Sequence, residues 1–377
     1  MKKAFELEAQ GAIRYCNGRF GGIKSMATLR MTRAEKAQWL ALYELADRLD
    51  RLAPWEWMGL ADCFGVSLPG MEEPCFAVFG GQPKAFRHVR FLMGWRAFYD
   101  LMTRLADTSK QTPTWLLEIP MLELLFISGE MLFAHEKAFL AKLGRMPDAG
   151  QMVPVFRTIT PGYHPWLPDA GERALLEAAL YQAFGMAMRV ESDGMLLKSR
   201  MPREVLVRVQ DGQGEWCDTW SPVKQLSDIE VEVRLGVKPL RALAEKKLWP
   251  MTVQLDLVFS PLMVGVEGTR PKTAYILLVV DAVSGMIIAE ELFQATKGIA
   301  QMWGELPERL LEIFMRLGGC PESIEVCSDR MANLLRPLGE MIPFKMVRRE
   351  QLAALEKARE KLNAFMRDGD PESCEQT

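Results

Sequence analysis

Excess basic charge, histidine and patterned cysteine are all scarce in this sequence, and each scarcity argues against a class of function. Lys and Arg number 46 against 49 Asp and Glu, for a net charge of −3. No surplus of positive charge therefore advertises nucleic acid or an anionic membrane surface. The three histidines, His88, His135 and His164, lie far apart, which thins out imidazole catalysis and histidine-rich metal sites. The seven cysteines are scattered and include no CxxC pair, so neither a zinc site nor a disulfide framework is indicated. Reduced thiols in a cytoplasm fit this usage best. No run approaches the roughly 20 apolar residues that span a bilayer, so no membrane association is expected. Residues 1–25 hold no apolar stretch of signal-peptide length and no helical periodicity, whereas Met26 opens a well-behaved segment. Met26 is accordingly the expected native start, with residues 1–32 read as a tail.

What is present is ordinary globular composition, 49% hydrophobic and 25% charged over 377 residues. That is enough chain for two or three domains, each with its own core. Residues 33–52 repeat apolar side chains at three- and four-residue steps behind Thr32, an amphipathic helix with an N-cap. CFAVFGGQPKAFRHVRFLMGW predicts strand, turn at Gly80–Gly81–Gln82–Pro83, strand, then a helix over 97–106. Residues 128–143 read as helix, and the prolines of VPVFRTITPGYHPWLP forbid a continuous helix or a central strand there. A helix over 169–191 and a hairpin EVLVRVQ–DGQG–EWCDTW complete an α+β module over 33–225. A polar connection, 226–248, leads to a second module over 249–366, and residues 367–377 read as a disordered polar tail.

The second module predicts strands 252–259, 274–280 and 286–293, a helix 306–317, a strand 323–327, and helices 331–341 and 349–366. Three meandering strands followed by a helix and a strand parallel to the first form an α/β arrangement of RNase H-like order. In that order carboxylates on the first strand and at the end of the fourth become neighbours. With a third acid they can hold the paired divalent ions of phosphoryl transfer.

The stretch from 249 to about 345 resembles the RNase H-like catalytic domains of integrases and transposases. The points of likeness are the aspartate inside VQLDLVF, the strand–turn–strand YILLVVDAVSGMIIAEEL, and GGCPESIEVCSDR with its short strand and aspartate. The resemblance implies Asp256 and Asp329 as the first two metal ligands and catalytic residues, with Mg or Mn as cofactor and nucleic acid as partner. Arg330 and Met331 stand where those families follow the aspartate with Asn-Gly, and the third acid has only Glu356 and Glu360 to draw on. These departures point to a degenerate domain, and Arg330 beside Asp329 is expected to compete with a metal. Alternation along 252–259 places Asp256 on the polar face of its strand, where a surface role is natural. A longer pattern, including LAPWEWMGLADCFGVSLP, Pro-Gly-x-x-Pro-Trp at 161–166 and Arg-Pro at 270–271, resembles a bacterial family. Its members join two adjacent domains of unknown function, about 35–200 and 240–362 here.

Asp281 closes a continuous apolar run and precedes Ser284–Gly285, so it is read as a turn former that bonds backbone amides ahead of it. The tryptophans 55, 57, 95, 115 and 166 could line a binding face or anchor a core, and His164 reads as bonding a loop carbonyl. The expected function is a non-catalytic binding or scaffolding protein with a degenerate RNase H-like domain. The alternatives are a divalent-metal-dependent nuclease using Asp256 and Asp329, and a protein–protein adaptor acting through the aromatic N-terminal module.

Overall fold

The computed structural model describes residues 31–81, 86–106, 115–148, 150–198, 203–227, 231–265 and 269–368. The expected start at Met26, the Gln82–Pro83 half of the first turn and the tail after 368 lie outside these. Two mixed sheets carry the chain. The first contains β1 (Phe64–Val66), β2 (Cys75–Gly81), β3 (Arg87–Met93), β4 (Met121–Ser128), β5 (Met152–Ile159), β6 (Glu204–Gln210) and β7 (Trp216–Pro222). Their order is β5-β4-β3-β2-β1-β6-β7, antiparallel except where β1 runs parallel to β6. Helices α1 (Arg33–Leu52), α2 (Gly94–Ala106), α3 (Ala134–Leu143) and α4 (Ala170–Ser192) pack around it.

Local chemistry sets several of these boundaries. Thr32 Oγ1 accepts the Glu35 N–H at 3.1 Å while Glu35 accepts the Thr32 N–H at 2.8 Å, a reciprocal cap that starts α1. Asp169 and Glu172 repeat the device for α4. β5 contains Pro154 and lies at the sheet edge, the place where a strand tolerates a residue with no N–H to give. The expected helix over 128–143 begins only at Ala134, because the strand 121–128 runs into a single tight turn at Gly129–Met131 and extended backbone at Leu132 and Phe133. A short apolar run has no period of its own to separate strand from helix. Trp55, Trp95 and Trp115 are 4%, 6% and 1% exposed, so these rings are core anchors. Trp57 donates to the Ala187 carbonyl, and Trp166 stacks on His135 with centroids 4.1 Å apart.

The second sheet has the order β10-β9-β8-β11-β12, built from β8 (Trp249–Val264), β9 (Lys272–Asp281), β10 (Ile287–Gln294), β11 (Pro321–Val326) and β12 (Lys345–Arg348). β8, β9 and β10 form an antiparallel meander. β11 then lies parallel to β8, and β12 parallel to β11. Helices α5 (Val237–Ala244), α6 (Ile299–Leu317), α7 (Asp329–Gly339) and α8 (Ala353–Asp368) complete this part. α6 begins well before the expected 306, because Pro307, a first-turn residue by preference, sits inside the helix. β12 was not legible as a strand: four residues with a charge at each end carry no alternation to read. α8 lies across the sheet face opposite the main core, where Leu352, Leu355 and Ala358 meet Val258, Ile276, Leu278 and Val280.

The two sheets are joined through loops far apart in sequence. The Gly162 carbonyl accepts from Thr273 N–H at 3.0 Å and His164 N–H donates to Pro271 O at 2.9 Å. Arg270 reaches Thr160 Oγ1 and Glu172 Oε2, both at 2.7 Å. Gly162 has φ +86°, and a Cβ there would stand 2.5 Å from that of Ala295, so both conformation and closeness demand glycine. The Pro-Gly-x-x-Pro-Trp and Arg-Pro stretches therefore meet at one seam.

Candidate functional site

The site to weigh is the end of β11 beside β8. The parallel register pairs Ser323 with Thr252 and Glu325 with Gln254, which brings Cys327 alongside Asp256. Val253, Leu255, Leu257 and Phe259 of β8 point into the main core. Gln254 and Asp256 point the other way, toward α8. Gln254 Nε2 donates to Glu325 at 3.0 Å and its Oε1 accepts the Leu355 N–H of α8 at 2.9 Å. The polar face of β8 is thus the seat of a helix and not a water-facing surface. Alternation tells which side chains share a face, but a helix from a hundred residues later decides what covers it.

Asp256 is half-buried, accepting the Leu257 N–H at 2.9 Å and the Cys327 thiol at 3.4 Å. Burial pushes its carboxyl up to about 6, against smaller lowering effects from these hydrogen bonds and from Arg359 and Arg330. Burial, with the Asp256 charge next to it, pushes the Cys327 thiol up to about 12, so the sulfur stays protonated and serves as the donor. Asp329 is the first residue of α7, behind Ser328, whose Oγ accepts the Met331 N–H at 3.1 Å. Its half-exposed carboxylate is ion-paired with Arg348 of β12.

Arg330 does not compete for Asp329. It turns toward the first module and holds Glu118 through two bonds of 2.8 and 2.7 Å, with its guanidinium 4.7 Å from the Trp303 ring. Glu356 and Glu360 are exposed on α8. Among the described residues no group of three or more His, Cys, Asp or Glu side chains is placed to hold a metal ion. The donor set does not fit the paired hard cations of phosphoryl transfer, which need converging carboxylates. Cys327, Arg348 and Arg359 are the residues that sequence reading missed. Only Cys327 left a signal, its strand-end position two residues before Asp329.

The raised carboxyl gives a pH signature. Unfolded, Asp256 titrates near 3.8 and folded near 6, so between these values the folded state binds more protons. Its contribution to stability is complete below the lower value and is lost as pH rises through the upper one, by roughly 2–3 kcal/mol. Asp256→Asn should flatten this part of the stability curve and leave the protein more stable at neutral pH. Urea midpoints measured across that range check it, and an unchanged slope would show that another group is responsible.

Asp281 sits apart from this site. Its carboxylate accepts Val283 N–H at 3.1 Å, Ser284 N–H at 3.3 Å and Ser284 Oγ at 2.6 Å. Those bonds, the Ser284 hydroxyl foremost, hold it below the usual carboxylate range. Gly285 follows with φ +71°, the left-handed step that returns the chain into β10. Two imidazoles, the half-buried His135 and the buried His164, belong to the first module. Burial pushes the His135 and His164 imidazoles down to about 4 and 3, leaving both neutral at pH 7. The backbone N–H of His164, not its ring, makes the seam bond to Pro271.

No helix among the described residues is long and apolar enough to cross a membrane. No curated protein matches the chain. Residues 39–208 match the Domain of unknown function (DUF7309) and residues 239–363 match the Domain of unknown function (DUF6930), close to the extents expected from the sequence resemblance. Two adjacent segments of the chain are thus similar to these two families, one to each.

Proposed function

We propose that this is a non-catalytic binding or scaffolding protein whose second module is a degenerate RNase H-like domain. The strand order supports the RNase H-like reading: a three-strand meander, then a strand parallel and adjacent to the first. One observation supports the loss of catalysis above others. Each acid that the integrase resemblance nominates is committed elsewhere, Asp256 to the Cys327 thiol and Asp329 to Arg348. The adaptor reading through the aromatic N-terminal module draws no support from Trp55, Trp95 and Trp115, which are buried.

The metal-dependent nuclease reading keeps one favourable observation, the closeness of the β8 carboxylate to the β11 end that leads into Asp329. Calorimetric titration with Mg and Mn, together with a cleavage assay on single- and double-stranded DNA and RNA, separates the two. We expect no saturable metal binding and no metal-dependent cleavage. Cleavage that disappears in both Asp256→Asn and Asp329→Asn would establish the nuclease and end the degenerate reading.

A further inference from the structure

Among the described residues the two sheets end in four edge strands, and three of them are blunted against further pairing. β5 carries Pro154 and is bridged at its end by Trp166. β12 has only four residues, with Lys345 and Arg348 at its ends. β10 is irregular in register between Ile287 and Ala289 and carries Glu290 and Glu291. Bulges, prolines and charges of this kind are how proteins defend an edge. β7 differs. Its single proline, Pro222, is the last residue of the strand; from Trp216 to Ser221 it reads WCDTWS, without lysine or a break in its pairing with β6, and Cys217 to Trp220 are exposed.

The β6–β7 ladder fixes which backbone groups of β7 are open. Val223 N–H donates to Arg203 O at 2.8 Å and Asp211 N–H to Glu215 O at 2.9 Å. Hydrogen-bonded pairs alternate along an antiparallel ladder, and the register is continuous between those two points. Cys217, Thr219 and Ser221 therefore bond to β6, while the N–H and C=O groups of Trp216, Asp218 and Trp220 face outward.

We propose that β7 pairs antiparallel with β7 of a second copy of this chain, about a two-fold axis at Asp218. This register opposes the outward residues from Trp216 to Trp220 to one another: Trp216 to Trp220 of the second copy, Asp218 to Asp218, and Trp220 to Trp216. It forms about six inter-strand hydrogen bonds and two tryptophan–tryptophan cross-strand pairs, a favourable class of neighbour. The two central carboxylates do not meet bare. Each is held by Arg189 at 3.2 Å and lies 3.5 Å from Arg208, so the joint carries two guanidinium groups for every carboxylate. The first sheet then continues across the axis into its copy.

The full chain tests this by sedimentation across a micromolar concentration series, where a monomer–dimer equilibrium is expected. Trp220→Pro removes an outward N–H without touching the β6 ladder and should raise the dimer Kd at least about tenfold, with far-UV circular dichroism unchanged. If that variant folds poorly, Trp220→Lys should weaken the dimer in the same direction. Thr219→Cys places a thiol opposite Cys217 of the second copy in a non-hydrogen-bonded pair, a spacing that suits a disulfide. Mild oxidation should then lock the dimer, and Cys217→Ser in that background should abolish the link. A chain that stays monomeric throughout, or a dimer indifferent to Trp220→Pro and not cross-linked by Thr219→Cys, overturns the proposal.

Discussion

Glu136→Ala should lower the unfolding free energy by about 3–5 kcal/mol, the largest loss expected from one side chain here. Glu136 and Arg157 are each 2% exposed and joined by bonds of 2.6 and 2.9 Å. The same carboxylate accepts the Phe133 N–H at 2.9 Å at the start of α3, and the Arg157 guanidinium lies 4.4 Å from the Phe133 ring. Removing the acid takes the carboxylate from a buried guanidinium and frees a helix-start amide as well. Replacing both residues by apolar ones of similar volume, Glu136→Leu with Arg157→Met, should cost much less, because no orphaned charge remains. Urea midpoints of the two variants check the contrast. Equal losses would mean that packing, not charge, dominates the site.

Glu118→Ala should cost about 2–4 kcal/mol and weaken the joint between the modules. Glu118 is 9% exposed at its side chain and receives Arg330 from the second module and Arg104 from its own, the latter at 3.0 Å. Its carboxylate is held below the usual range by those two guanidinium groups, against the burial that opposes ionisation. Loss of the acid takes the shared carboxylate from two cations, Arg330 beside Trp303 and Arg104 beside Trp115. Arg330→Met should cost less, since Arg104 still satisfies Glu118. Calorimetry reads both effects. The Glu118→Ala protein should show a broadened or split unfolding transition where the parent shows one, and an unsplit transition at the parental midpoint would deny the joint its role.

These two acids show where sequence reading reached its limit. Glu136 lies within the stretch 128–143 that reads as helix, and Glu118 is one charge among the apolar residues of WLLEIPM. Neither spacing nor period reveals a partner 21 or 212 residues away. The same limit misplaced Arg330, whose neighbour in sequence is Asp329 but whose partner in space is Glu118. It misread Asp256 too, since alternation along β8 could not foresee α8 above it. The Pro-Gly-x-x-Pro-Trp and Arg-Pro stretches stood out as distinctive, yet only the fold brings them together at the seam between the sheets.

Local and periodic information was enough for much of the rest. Capping residues at Thr32 and Asp169 started helices, Asp211–Gly212 turned a hairpin, Pro154 kept its strand off the sheet centre, and Asp281 with Ser284 and Gly285 reversed the chain into β10. Each is set by dihedral preference or by hydrogen bonds within a few residues, so the sequence alone determined it. The meander and its parallel fourth strand followed from element order, because a helical crossover returns a strand to the same sheet in one sense only. What the tertiary structure decided was the fate of every charge. Burial and ion pairing depend on which distant element arrives next to a side chain, and that is how Asp256 came to face a thiol and Asp329 an arginine.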